Sequence, residues 1–226
     1  MGIHLLNMSE PISTGKLRLG VLASGRGSNL QALIDAIESG GVQARIAVVI
    51  SNKKDAQALE RARTHDVPDV YLDPKPYANM SDKREAYDRG VLDVLRKHDV
   101  DLVLLAGYMK IVTPVLIEAY RNRMMNIHPS LLPSFPGLDG QKQALEWGAK
   151  VAGCTVHFVT EGVDEGPIIL QAAVPILEGD SPEALSARIL IEEHKLYPRA
   201  VQLYAEGRLH VEGRRVRIAD RAIGCV

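Results

Sequence analysis

From about residue 17 to residue 130 the chain alternates short runs of Val, Ile and Leu with stretches in which apolar residues return every three or four positions. Buried strands alternating with amphipathic helices predict a parallel sheet covered by helices on both faces. LRLGVLAS (17–24) reads as the first strand. After the loop GRG, Leu30, Leu33, Ile34 and Ile37 keep the i, i+3, i+4, i+7 spacing of a helix that ends at Gly40 and Gly41. RIAVVIS (45–51) is the second strand, residues 55–65 the second helix, DVYL (69–72) a short third strand and residues 81–97 a longer helix. The run from Leu102 to Ala106 is apolar without alternation, as befits a central strand buried on both faces. Thr113 and Pro114 open a further helix with a hydroxyl cap and a proline in the first turn, and residues 123–128 return as a strand.

QKQALEWG reads as the next helix, and residues 151–160 and 168–176 as two strands. The short loop EGVDEGP between those strands predicts an antiparallel hairpin at that side of the sheet. Residues 180–207 are a last helical segment, and RLHVEGRRVRI (208–218) alternates around a glycine as a small hairpin does. The expected fold is therefore α/β: a Rossmann-like, mostly parallel sheet flanked by helices, with an antiparallel C-terminal portion. The expected organisation is a flexible arm over residues 1–16, one domain over 17–209, and a hairpin and tail over 210–226, disordered after Ile218.

Composition narrows the classes. A chain of 226 residues that is 46% hydrophobic and 24% charged suits one sizeable core and excludes a largely disordered protein. A formal net charge of −1 excludes a global attraction to nucleic acid or to an anionic membrane. Cys154 and Cys225 make no disulfide framework and neither has metal-ligand spacing, so a reducing cytoplasm and no metal are expected. No run approaches the ~18 apolar residues of a membrane span. The opening MGIHLLNMSEPISTGK lacks both a basic n-region and the myristoylation spacing.

Two segments carry candidate chemistry. In ASGRGSNLQAL, Gly25, Gly27, Ser28 and Asn29 stand between a strand and a helix start, where free backbone N–H groups and the helix dipole bind anions. The alternative is a tight turn with Ser28 as helix cap. Leu30 replaces the third glycine of a dinucleotide fingerprint, and ISNKK lacks the acidic residue for a ribose 2′-hydroxyl. A phosphate monoester or sugar phosphate fits this loop better than NAD. In MNIHPSLLPSFPG, Asn126 and His128 lie two apart on a strand, so they share a face while Ile127 turns to the core and Pro129 ends the ladder. An amide, an imidazole and a carboxylate can stabilise an oxyanion and move protons, as acyl transfer to an amine requires. Asp164, in the glycine-flanked loop TEGVDEGPI, is the candidate carboxylate. His157 is expected to be a hydrogen-bonded structural histidine, and His65, His98 and His210 surface residues.

GVLASGRGSNLQAL, LAGYMKIV, NIHPSLLPSFPG, HFVTEGVDEGPII and EEHKLYP together resemble the phosphoribosylglycinamide formyltransferase family, over about residues 17–209. The resemblance implies transfer of a formyl group from 10-formyltetrahydrofolate to the amine of glycinamide ribonucleotide in purine biosynthesis. It makes Asn126, His128 and Asp164 the catalytic set. It assigns the ribonucleotide to Gly27, Ser28, Asn29, Leu30, Gln31 and Glu193. Folate falls to Arg84, Met109, Lys110, Ile111 and Val112, to Asn126, and to the loop Glu161, Gly162, Val163, Asp164. No cofactor beyond the folate donor is implied, and the partners are these small molecules, with a monomer or homodimer expected.

Asp139 and Gln141 stand where some members of that family carry histidines, so the pH profile is not carried over, and Lys110 stands where others have Arg. A formyltetrahydrofolate deformylase, with water as acceptor, is the nearest rival. It is disfavoured because only about sixteen residues precede the first strand, where that family usually has a regulatory domain. A methionyl-tRNA formyltransferase would need more chain after Gly207. A non-catalytic nucleotide or folate sensor would have no need of all three of Asn126, His128 and Asp164.

Overall fold

A computed structural model describes residues 15–220. Most of the expected N-terminal arm, the end of the tail and Cys225 lie outside those residues. In chain order the elements are β1 (Leu17–Leu22), α1 (Ser28–Glu38), β2 (Ala44–Ser51), α2 (Gln57–Thr64) and β3 (Asp69–Tyr71). A 3-10 turn over Lys75–Tyr77 leads to α3 (Lys83–Lys97), β4 (Leu102–Leu105), α4 (Pro114–Ala119), β5 (Met124–His128) and α5 (Gly140–Glu146). The chain continues as β6 (Val151–Phe158), β7 (Ile168–Pro175), α6 (Pro182–Ala205), β8 (Leu209–Glu212) and β9 (Arg215–Ile218).

Among the described residues the strands form one sheet in the order β3-β2-β1-β4-β5-β6-β7-β9-β8. The strands from β3 to β5 run parallel, β6 is antiparallel to both β5 and β7, and β9 joins β7 in a parallel pair at Ile168 and Arg215. The α/β class and the antiparallel C-terminal side match the sequence expectation. The strand order reverses direction at β1, with β2 on one side and β4 on the other, and loops leaving such a switch point open a crevice beyond the strand ends.

β4 shows why its run has no alternation. Leu102 and Leu104 enter one apolar cluster with α1, α2 and α6, through Leu30, Leu33, Leu59 and Val201. Val103 and Leu105 enter a second with α3 and α4, through Tyr87, Val91, Leu95 and Leu116. Each of these four strand residues is at most 7% exposed, and burying such a side chain contributes roughly 1.5–3 kcal/mol.

Two expected helix starts are built differently. Neither Ser28 nor Thr113 caps with its hydroxyl. Gly27 occupies the cap of α1 in the left-handed region, at φ 69°. A Cβ there would stand 2.8 Å from the Ala58 Cα, so a residue with no side chain suits both the angle and the approach of α2. At α4, the buried Asp88 carboxylate accepts from the Thr113 N–H at 2.6 Å, replacing the hydroxyl as the group that satisfies this end.

Candidate active site

The loops after β1 and β4 are stitched together at the switch point. Ser24 donates its backbone N–H to the Gly107 carbonyl, while its hydroxyl donates to Asn52 at 2.6 Å and accepts from the Met109 N–H at 2.9 Å. Beyond Ser24 the glycine loop is braced by α2: Ala58 N–H donates to the Gly25 carbonyl, and Arg61 donates to the Arg26 carbonyl and to the Gln31 side chain, both at 2.9 Å. The first intrahelical bond of α1 runs from Gln31 N–H to the Gly27 carbonyl, so the N–H groups of Ser28, Asn29 and Leu30 have no intrahelical acceptor, the arrangement by which helix starts attract anions. Leu30 can serve only through its backbone, because its side chain is 0% exposed in the core. The Gln31 side chain is engaged within the protein, by Asp35, His65 and Arg61.

α6 brings Glu193 to this loop. Asn29 donates its side-chain amide to the Glu193 carboxylate at 2.7 Å, and both are buried. Burial pushes the Glu193 carboxyl above the ordinary carboxylate value, against the opposing hydrogen bond from Asn29. The Asn29 Oδ1 is buried with no hydrogen-bond partner, an acceptor facing nothing within the protein. A cavity of about 500 Å³ opens on the β2 side of the loop, lined by Arg26, Lys53 and Lys54 among others, away from Asn126 and Asp164.

The second cluster forms where β5 ends. Leu105 pairs with Asn126 in the parallel register, so the segment leaving β4 emerges beside Asn126 and His128. Ile127 turns to the core at 7% exposure, as strand alternation requires. The segment after β5 is pinned from beneath by Thr155 on β6. The Thr155 hydroxyl donates to the Ser130 carbonyl at 2.7 Å and accepts from Leu132 N–H and the Gln171 side chain, each at 3.0 Å. Gln171 also donates to the Leu132 carbonyl at 2.9 Å.

Asp164, at φ 56° in the loop between β6 and β7, turns its carboxylate into this cluster. Oδ2 accepts from the Gly137 N–H at 2.8 Å and lies 3.3 Å from His128 Nδ1; Oδ1 accepts from the Asn126 amide at 3.4 Å. Burial alone would raise the Asp164 carboxyl, but the Gly137 N–H and the charge of His128 are among the contacts that outweigh it, holding the group below the ordinary carboxylate value. The other nitrogen of His128, Nε2, is 3.0 Å from the Phe135 carbonyl. Both ring nitrogens thus face oxygens that only accept, and only the doubly protonated ring can donate to both.

Asn126, His128 and Asp164, expected together from sequence, lie within hydrogen-bond or ion-pair distance of one another. His157 joins them. It is buried and hydrogen-bonded as expected, but its partners include Asn126, at 3.2 Å, and Asp164, at 3.6 Å. The register signal was in the strands: His157 alternates with Val156, and it pairs directly across from Asn126. Of the histidines expected at the surface, His210 is exposed, whereas His65 is half-buried and bonded to Glu38 and Gln31.

The residues expected at folate divide in two. Met109 and Ile111 are 64% and 60% exposed, unusual for large apolar groups, and Val163 is 53% exposed. Lys110 lies over the Tyr87 ring at 4.4 Å, one helical turn along α3 from the exposed Arg84. Glu161 is held at the surface by Arg121 at 3.3 Å.

An α/β protein with an anion-ready glycine loop at the sheet's switch point, and an amide, imidazole and carboxylate gathered two strands away, has the parts of a group-transfer enzyme acting on a phosphorylated small molecule. The chain belongs to the formyl transferase family, whose description matches residues 17–201. It is 45% identical over 193 residues to the phosphoribosylglycinamide formyltransferase of Escherichia coli (strain K12), covering 85% of this chain and 89% of that protein. It is 50% identical over 207 residues to the trifunctional purine biosynthetic protein adenosine-3 of Drosophila pseudoobscura pseudoobscura, covering 91% of this chain and 15% of that much longer protein. The crystal structure of glycinamide ribonucleotide transformylase 1 from Symbiobacterium toebii superposes with a TM-score of 0.87 at 57% identity, covering 91% of this chain and 95% of that one.

Proposed function

We propose that this chain transfers the formyl group of 10-formyltetrahydrofolate to the amine of glycinamide ribonucleotide, in the cytoplasm and with no metal, nucleic acid or membrane taking part. The observation that carries the reading is the contact of Asp164 with both Asn126 and His128, beside the exposed apolar segment after β4 that Ser24 ties to the glycine loop.

The substrate phosphate lies on the free N–H groups of Ser28, Asn29 and Leu30, and the ribose hydroxyls lie toward Glu193. The pteridine of the donor packs on Met109 to Val112 and on the loop Glu161 to Asp164, with its glutamate toward Arg84. The amine nitrogen attacks the formyl carbon, and the carbonyl electrons move to its oxygen. An N–H of Asn126 and the Nε2–H of His128 hold that oxyanion, which takes the place of the Phe135 carbonyl as the acceptor for His128. Asp164 keeps the imidazolium charge-compensated. Collapse of the intermediate breaks the bond to N10 of the folate. The proton lost by the amine reaches N10 by way of the cluster and water, giving formylglycinamide ribonucleotide and tetrahydrofolate.

The test is the loss of 10-formyltetrahydrofolate, followed by absorbance, with and without glycinamide ribonucleotide. Consumption that requires the ribonucleotide supports the transferase. Consumption without it replaces the reading with a deformylase, and folate binding with no consumption in either case replaces it with a sensor.

A further inference from the structure

His157 stands opposite Asn126 across the β5–β6 pair, and its ring makes two contacts that fix which nitrogen carries the proton. Nδ1 lies 2.9 Å from the Phe158 carbonyl oxygen, which can only accept, so Nδ1 bears the hydrogen. In the neutral ring Nε2 then presents a lone pair, and the Asn126 amide nitrogen donates to it at 3.2 Å. The same nitrogen is 3.4 Å from Asp164 Oδ1, which confirms the amide's sense: its oxygen would meet the carboxylate with like charge if the group were turned over.

The three atoms form a nearly equilateral triangle. Asn126 Nδ2 is 3.2 Å from His157 Nε2 and 3.4 Å from Asp164 Oδ1, and those two acceptors are 3.6 Å apart, too far for a direct hydrogen bond. They therefore subtend about 66° at the amide nitrogen, and its two hydrogens diverge by about 120°, so each acceptor lies within about 30° of an N–H. Both acceptors therefore draw the nitrogen of the amide, and not its oxygen, toward the cluster. Asn126 is half-buried while His157 is 2% exposed, so His157 holds the amide from the buried side.

We infer that His157 is a positioning residue: its Nε2 lone pair, together with Asp164, locks the Asn126 amide in the sense that turns its N–H groups, and not its oxygen, to the developing oxyanion. Without that acceptor the amide has a single tether and turns more freely, and an amide turned by 180° offers the oxyanion an oxygen. The inference rests on the transferase reading for its kinetic consequence, though not for the tautomer.

Two measurements test it. The first is the long-range ¹⁵N–¹H correlation spectrum of the unliganded wild-type chain labelled at histidine, with His157 assigned by its absence in His157→Gln. A neutral ring protonated at Nδ1 is expected; a proton on Nε2 overturns the inference. The second compares His157→Phe, which keeps a ring and loses the acceptor, with His157→Gln, whose side-chain oxygen can accept near the Nε2 position. His157→Phe is expected to lower kcat about tenfold or more with both KM values within about twofold, and His157→Gln to recover most of the loss. Unchanged kcat in the Phe variant, or no recovery in the Gln variant, overturns the inference. If the Phe variant does not fold, the tautomer and a Gln variant with near-normal kcat carry the decision. If the wild-type chain transfers no formyl group, the transferase reading fails by itself, and the spectrum still decides whether His157 is an acceptor for Asn126.

Discussion

Asn29 donates its side-chain amide to Glu193 at 2.7 Å, joining the first turn of α1 to the middle of α6 across 164 positions of sequence. The carboxyl of Glu193 is buried deeply enough that its pKa is raised above the ordinary 4.5. Its ionised form is therefore a cost to the folded chain: the stabilisation is full below about pH 4.5 and is lost as pH rises through the higher folded value. Glu193→Gln keeps an acceptor for Asn29 without the charge. It is expected to raise the thermal midpoint at pH 8 and to leave it unchanged near pH 4. Equal shifts at both pH values would falsify the burial origin. Under the proposed function the same variant raises the KM for the ribonucleotide, because a carboxylate accepts from ribose hydroxyls more strongly than an amide does.

Asp164 has the opposite sign. Its carboxyl is held below the ordinary 3.8, so its ionised form stabilises the fold above that value, and the contribution disappears as pH falls through the lower folded value. Asp164→Asn is expected to be less stable than wild type at pH 7 and to lose less stability on acidification below about pH 4, read as urea midpoints across that range. Parallel pH curves for the two proteins would remove this account of the carboxylate.

The proposed chemistry makes His128→Ala and Asp164→Asn deficient in turnover rather than in ribonucleotide binding. A loss of about 10²-fold or more in kcat is expected for each, the range found when an acid–base group is removed. Calorimetric titration with glycinamide ribonucleotide should give a Kd within a few-fold of wild type. Near-normal turnover in either variant would refute the roles assigned to these residues.

Gly27→Ala places a Cβ 2.8 Å from the Ala58 backbone and puts a side chain at φ 69°. The expected cost is about 1–3 kcal/mol, with a raised KM for the ribonucleotide as the loop moves off α2. Unfolding midpoint and KM should move together; a stability loss with unaltered KM would detach the phosphate from this loop.

Thr155→Val conserves shape and removes one hydroxyl that serves Ser130, Leu132 and Gln171. The Leu132 N–H is then buried without that acceptor, and a loss of about 1–3 kcal/mol is expected from urea unfolding. The segment from Ser130 to Gly137 should gain amide hydrogen exchange, since its tether to β6 is gone. Exchange confined to β6 would show that the hydroxyl serves the strand alone.

Local pattern was enough for much of this protein, because strand and helix periods are properties of neighbouring residues. The unbroken apolar run of β4 announced burial on both faces, and the short loop around Asp164 required β6 and β7 to be antiparallel. Period two alone set Asn126 and His128 on one face with Ile127 in the core. The resemblance to a known family singled out Glu193, but its contact with Asn29 depends on how α6 packs against α1, which no local period encodes. The same limit hid the cap of α1. Ser28 is a better cap residue than glycine by type, yet the approach of Ala58 from α2 decides that Gly27 takes the left-handed position. His157 is the clearest case. Its alternation within β6 was legible as a buried histidine, whereas its place beside Asn126 and Asp164 follows from the β5–β6 register and from the turn that aims Asp164 inward at φ 56°. A shift of that register by one residue would turn His157 to the opposite face, so only the assembled sheet made it part of the cluster.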